Sequence, residues 1–182
     1  MGYINAGKGL KTMFTAEIGA IVSAVIMIIP FIGAVVGGIG VIVFSILSVY
    51  GLYVAGKDFE GLRNAFLLTI VSVILSLLAF IPPIKGFISI LSSIISLMVV
   101  YFVCNSLKDA LVGMGKSDIA GLGQTVWTIT LICTVLDVIL SIIALIPIIG
   151  IVAKFLLFFV GIGSLVGSIM YLVYLYKCSN VF

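Results

Sequence analysis

Long apolar runs, taken in pairs, set the order of this chain. The first runs from about Met13 to Ile29 and the second from about Phe31 to Ala55; the third spans Ala65 to Ile81 and the fourth Phe87 to Leu107; the fifth spans Val126 to Ile146 and the sixth Val152 to Tyr176. Within each pair the break is a proline turn: Ile29-Pro30-Phe31-Ile32-Gly33, Ile81-Pro82-Pro83-Ile84-Lys85-Gly86, and Ile146-Pro147-Ile148-Ile149-Gly150. Proline removes a backbone donor and clashes with the preceding helical turn, while glycine relaxes the backbone that follows. The pattern predicts an all-α fold, a bundle of six transmembrane helices arranged as three tandem hairpins in a single domain, over approximately 9–55, 61–107 and 121–176.

Between the pairs lie polar stretches. Lys8 and Lys11 precede the first run, Gly56 to Asn64 form a charged linker, and Lys108 to Gln124 form a longer one ending in Gly121-Leu122-Gly123. At about 1.5 Å per residue the first and third runs reach about 25 Å, slightly short of a hydrocarbon core of about 30 Å, so their flanking turns are expected in the interface. Lys8, Lys11, Lys57, Arg63, Lys108, Lys116 and Lys177 fall on one side of a six-span arrangement, and Lys85 and Lys154 on the other. This asymmetry predicts cytoplasmic termini. Tyr3, Tyr50, Tyr53, Tyr101, Tyr171, Tyr174, Tyr176 and Trp127 cluster at the same helix ends, where amphipathic rings prefer headgroup level.

Composition sharpens the class. Of the 182 residues, 64% are hydrophobic and 8% charged, against roughly 25% charged in a soluble domain. That is too little charge to cover a surface in water, and the runs are continuous, not alternating as in an outer-membrane barrel. The expected location is an integral membrane position, in a prokaryotic inner membrane, with the lipid bilayer as the main partner. A net charge of +3, scattered along the chain, leaves no nucleic-acid footprint. Histidine is absent, removing the commonest metal ligand and the usual neutral-pH base. Cys104, Cys133 and Cys178 are dispersed and odd in number, which reads as free thiols. No metalloprotease, nucleophile-elbow or phosphate-loop motif is present, so neither catalysis nor a cofactor is expected.

The hairpins resemble one another. Each opens on a Gly-Leu pair (Gly9-Leu10, Gly61-Leu62, Gly121-Leu122) and closes on a tyrosine (Tyr50, Tyr101, Tyr171), and Lys57-Asp58 is echoed by Lys108-Asp109. Alignment on the proline exposes a polar stripe on the first helix of each copy: Glu17, Ala20 and Ala24; Thr69, Ser72 and Ser76; Thr134, Asp137 and Ser141, extended back to Thr130. Spacings of three and four put each set on one helix face. The second helices carry Ser89, Ser92 and Ser96, then Gly161, Ser164 and Ser168. Gly33 with Gly37 and Gly163 with Gly167 are spaced for close helix packing.

Two readings follow. Small residues let helices approach and hydroxyls bond across them, which makes a scaffold or complex subunit that packs with copies of itself or with a membrane-protein partner. Alternatively Asp137, Thr134, Ser141, Thr130, Glu17, Thr69, Ser72 and Ser76 line a polar path in a small channel or transporter. Asp137 bears most on the choice. It lies mid-helix, where an ionised carboxylate costs about 2.5–3.5 kcal/mol, so it is expected to face the bundle and be partnered or neutralised. Glu17, about one turn into its run, is expected to pair with Lys8 or Lys11 and to benefit from the helix dipole. Lys85 and Lys154 are expected to snorkel outward, and the linker acids Asp58, Glu60, Asp109 and Asp118 to be solvated.

The repeated IPxIG turn, the small-residue stretch Gly33 to Gly40 and the linker ending Arg63-Asn64-Ala65 resemble short six-helix prokaryotic membrane families of unknown function. That resemblance implies the fold and brings no activity or site. Length and helix count are also similar to vitamin-binding subunits of energy-coupling transporters, with Ala16 and Ala20 as a small-residue pair. The outer turns here are short and apolar, unlike the covering loops such a subunit implies.

Overall fold

A computed structural model describes residues 3–29, 32–78, 85–144, 146 and 150–182; the side chains of 32, 34, 76–78 and 85–87 lie outside that description. The three proline turns, Pro30, Pro82-Pro83 and Pro147, also lie outside the described residues. The described chain is all helical: α1 (Ile4–Ile26), α2 (Ile32–Ala55), α3 (Glu60–Leu78), α4 (Lys85–Gly113), α5 (Ser117–Ile143) and α6 (Gly150–Ser179). Five of these, all but α3, are long and apolar enough to cross a membrane. This is an integral membrane protein of helical-bundle class.

The helices extend further than hydropathy alone predicts. α1 begins at Ile4, nine residues before the apolar run. Its first turns are held from elsewhere: the Asp58 carboxylate accepts from the Ala6 backbone N–H at 2.8 Å and from Asn5 Nδ2 at 2.9 Å. Tyr3 supplies the N-cap position without a side-chain cap, so Asp58 satisfies a donor that the local sequence leaves open. Asp58 was expected to be solvated; it is half-buried and braces α1 instead. The supposed long linker at Lys108 to Gln124 is also mostly helix. Only Met114-Gly115-Lys116 separate α4 from α5. Gly115 takes φ +72°, with Lys116 N–H bonded to Leu111 C=O at 2.8 Å and Gly115 N–H to Val112 C=O at 2.9 Å. That is a glycine-terminated helix end of Schellman type, which lets two helices reverse in three residues. The added turns bury Leu111, Ile119 and Ala120, which favours their helical form.

By packing, the chain gathers into two compact units. One compact unit comprises Met1–Phe66 with Leu172–Phe182, and a second comprises Leu67–Tyr171. The boundaries cut through α3 and α6, because the ends of helices gather neighbours that hairpin connectivity does not foretell.

In the first unit α1 packs against α2. Ala6, Leu10, Met13 and Ala16 are buried on α1, and Leu52 and Ala55 on α2. Leu62 and Ala65 from the start of α3, and Tyr174, Leu175 and Cys178 from the end of α6, complete the core. The approach is glycine-limited: a Cβ on Gly51 would stand 2.7 Å from the Gly9 carbonyl and 2.9 Å from the Met13 nitrogen. Tyr3, Phe59 and Phe182 form a three-ring cluster, with the Tyr3 and Phe59 centroids 4.7 Å apart.

In the second unit α4 packs against α5. Its buried positions include Ile88, Ile95, Val103, Cys104, Leu107 and Leu111 on α4, with Ile119, Ala120 and Val126 on α5. Tyr101 meets Trp127 edge to face at 5.0 Å between the same two helices. Most of the large apolar side chains of α6 in this unit are exposed, among them Phe155, Phe158 and Leu165, as suits a lipid-facing helix.

Candidate functional site

The hydroxyl stripe of α5 and the small-residue stripe of α6 meet in the second unit. Thr130, Cys133 and Thr134 on α5 face Ser164, Gly167, Ser168 and Tyr171 on α6, with Val100 of α4 and Ile129 closing a cavity of about 220 Å³. The gap exists because glycine on α6 is opposed by larger side chains on α5. A Cβ on Gly163 would lie 3.0 Å from Cys133 Sγ, and one on Gly167 would lie 3.2 Å from Ile129 Cγ2. The helices are therefore spaced by side chains, and the residual volume is lined mainly by apolar surface into which Thr and Ser hydroxyls are set.

The hydroxyls are partly committed. Thr130 Oγ1 donates to the Val126 carbonyl at 2.8 Å, and Ser168 Oγ donates to the Ser164 carbonyl at 2.9 Å. A hydroxyl that donates to its own helix keeps its oxygen lone pairs for a guest. The lining holds no charged residue. Such a space suits a handful of water molecules or a small polar solute, each needing two or more polar partners. Among the described residues no group of three or more His, Cys, Asp or Glu side chains could hold a metal.

Several expected path residues sit apart from this cavity. Asp137 is one turn beyond Thr134 but is exposed, as is Ser141. The expectation that Asp137 turns into its bundle is corrected. The fully buried positions of α5 are Ile119, Ala120, Gly123 and Val126, all in its first ten residues. Beyond Val126 the helix has no fully buried position to offer a carboxylate. Thr69 and Ser72 are half-buried on α3, each with an interaction of its own, and they do not line the cavity. The Ser76 side chain lies outside the described residues.

Glu17 belongs to the first unit. It was expected to pair with Lys8 or Lys11; instead its Oε1 accepts from Ser48 Oγ of α2 at 3.1 Å. The ladder of α1 puts Glu17 on the α2 side with Met13 and Ala16, while Lys8 and Lys11 fall on exposed positions. Of the packing glycines, Gly33 and Gly37 are buried against the last turns of α1, where a Cβ on Gly37 would meet the Ser23 carbonyl at 2.5 Å. Gly163 and Gly167 face α5 as described above. Lys154 is exposed, and the Lys85 side chain lies outside the described residues.

Sequence reasoning did not foresee Cys133, Tyr171 or Val100 at the cavity, nor Ser48 as the partner of Glu17. Ser48 shares helical spacing with Ser45 on α2, but Ser45 is exposed while Ser48 is half-buried, a difference that spacing does not reveal. Tyr171, expected at the interface, lines the cavity. Comparison with protein-family models, with curated proteins and with solved structures finds no match.

Proposed function

We propose that this protein is a non-enzymatic subunit of a complex in a prokaryotic inner membrane, with cytoplasmic termini, and that α5 packs against a further transmembrane helix from a second copy or another membrane protein. The observation that supports this reading is the exposed side chain of Asp137. It lies about 15 Å from either end of its apolar run, near the level of the bilayer centre. A carboxylate facing lipid there costs about 2.5–3.5 kcal/mol, and a covering helix with a polar partner removes much of that cost. Around it Ile132, Val135, Leu136 and Ile139 are exposed too, so the carboxylate sits in an apolar face that another helix can bury.

The test is assembly. Purified in mild detergent, the wild-type chain is expected to run as an oligomer or with a co-purifying membrane protein, and Asp137→Leu is expected to shift at least ten-fold more of it to the free monomer. A wild-type chain that is a strict monomer without a partner ends this reading.

The cavity between α5 and α6 favours a second reading, a small channel or transporter. Its hydroxyl lining and its volume of about 220 Å³ suit passage of a small solute or ion. Proteoliposome flux that falls in Thr134→Val and in Thr130→Val supports it, and flux unchanged by both variants removes it.

A further inference from the structure

We propose that the groove along the edge of the α1–α2 hairpin binds an anionic phospholipid, with the phosphate held by Lys8 and Lys11. The groove is about 490 Å³ and is lined by Lys8, Lys11, Thr12 and Thr15 of α1 with Leu47, Tyr50 and Val54 of α2. The α1 residues follow a spacing of three, four and seven, so they form one face of the helix. Seven residues separate Lys8 from Thr15, which carries the groove about 10 Å along α1, the depth of a headgroup and the start of its acyl chains.

Three observations point to this occupant. The first is charge. No acidic residue lines the groove, and the acids of this hairpin region are engaged elsewhere: Glu17 accepts from Ser48, and Asp58 holds Asn5 and the Ala6 N–H. Lys8 and Lys11 have no counter-ion among the described residues; of the other cations of this unit, Lys57 stands over the Tyr53 ring and Arg63 beside Glu60, while Lys177, which does not line the groove, is likewise without a counter-ion. The second is the hydroxyls. Thr12 Oγ1 donates to the Lys8 carbonyl at 2.9 Å and Thr15 Oγ1 to the Lys11 carbonyl at 3.0 Å. Their oxygens are left as acceptors, suited to the hydroxyls of a glycerol headgroup. The third is polarity along the groove. Leu47 lies at the level of Thr15, deeper than the lysines, and Tyr50 is 56% exposed beside them. Cation, amphipathic ring and aliphatic side chain thus succeed one another as phosphate, ester region and acyl chain do in a lipid.

The test uses native mass spectrometry of the purified full chain in a neutral detergent, titrated with phosphatidylglycerol or with phosphatidylcholine. Each lysine near an anionic headgroup contributes enough that two should give roughly a ten- to thirty-fold preference for phosphatidylglycerol. Lys8→Gln with Lys11→Gln should bring that preference close to one, the double Lys→Arg variant should keep it, and Lys116→Gln with Lys177→Gln should leave it intact. Leu47→Trp fills the groove without touching the charges and should also abolish retention, which covers the case in which the lysine variant does not fold. The proposal is overturned if the Lys8/Lys11 double Gln variant or Leu47→Trp retains the preference, or if the Lys116/Lys177 control loses it equally. It is also overturned if millimolar inorganic phosphate displaces the lipid completely, since the site would then recognise free phosphate.

Discussion

The α1–α2 pair and the α5–α6 pair carry the same sequence device and put it to opposite use. Both have small residues at helical spacing. In the first pair glycine meets glycine: Gly9 and Gly51 oppose each other, so backbone touches backbone and no space remains. In the second, Gly163 and Gly167 meet Cys133 and Ile129, and the side chains hold the helices apart around a hydroxyl-lined cavity. A small-residue pair therefore brings backbone against backbone only where the facing helix also presents small residues; further along the same α1–α2 pair the Phe44 ring fills the space over Gly19 instead. Where the facing helix presents Thr, Cys and Ile, the same pair makes a pocket.

The largest test of that contrast is Gly9→Leu. A Cβ at Gly9 would stand 2.5 Å from the Ala55 nitrogen and 2.6 Å from the Ala55 Cβ, and backbone cannot step aside as a side chain can. The hairpin should lose about 3 kcal/mol or more, at the upper end of overpacking costs, read as a lower midpoint in a detergent unfolding titration. A wild-type midpoint would mean that the two backbones are not in contact. Asp58→Ala is the next step down. It removes the acceptor for Ala6 N–H and Asn5, and the loss should be about 1 kcal/mol, as for other lost helix caps. Hydrogen exchange should rise in the first turn of α1 and stay unchanged in the second unit.

Much of this contrast was legible beforehand, and the part that was not has a physical cause. Hydropathy located the six helices, since an apolar run of bilayer length must satisfy its own backbone. It misplaced the ends of α1, α4 and α5, because turns outside the hydrocarbon are stabilised by burial and capping and not by apolarity. Leu10, Leu111 and Ile119 are buried in stretches that read as polar linkers. The error hid a site. With α1 started at Met13, Lys8 and Lys11 look like a loose tail; with α1 started at Ile4, they join Thr12 and Thr15 on one face. The stripe Thr130-Thr134 was visible at the right spacing, but its continuation to Asp137 and Ser141 was not turned inward. Spacing fixes which residues share a face; only packing decides how far along the helix that face stays covered.

A smaller effect separates the polar contacts of the first unit from its glycine contact. Ser48 Oγ donates to Glu17 Oε1 across α1 and α2. Interhelical hydrogen bonds in membranes average about 0.6 kcal/mol, so Ser48→Ala should cost about that much, several-fold less than Gly9→Leu. Glu17→Gln keeps an acceptor oxygen and should cost less still. A Ser48/Glu17 double-mutant cycle that gives no coupling would show that apolar and glycine packing joins these helices without help from this hydrogen bond.

The smallest expected change is also the one that best divides the fold from the proposed assembly. A Cβ added at Gly161 on α6 meets nothing within 4 Å, and the residue is exposed. Gly161→Ala should therefore alter the unfolding midpoint of the isolated chain by no more than a few tenths of a kcal/mol, with helix propensity acting in favour of alanine. Gly163→Ala, two residues on, places its methyl 3.0 Å from Cys133 Sγ, a side-chain terminus that borders the cavity and can rotate into it, so its cost should also be small. The two part company in assembly. If a partner helix lies on the exposed face of α6 as well as on Asp137, Gly161→Ala should lower the oligomer fraction while leaving the monomer's stability alone, and Gly163→Ala should leave both unchanged. If Gly161→Ala changes neither, that face of α6 meets lipid, and the contact with a partner is confined to α5.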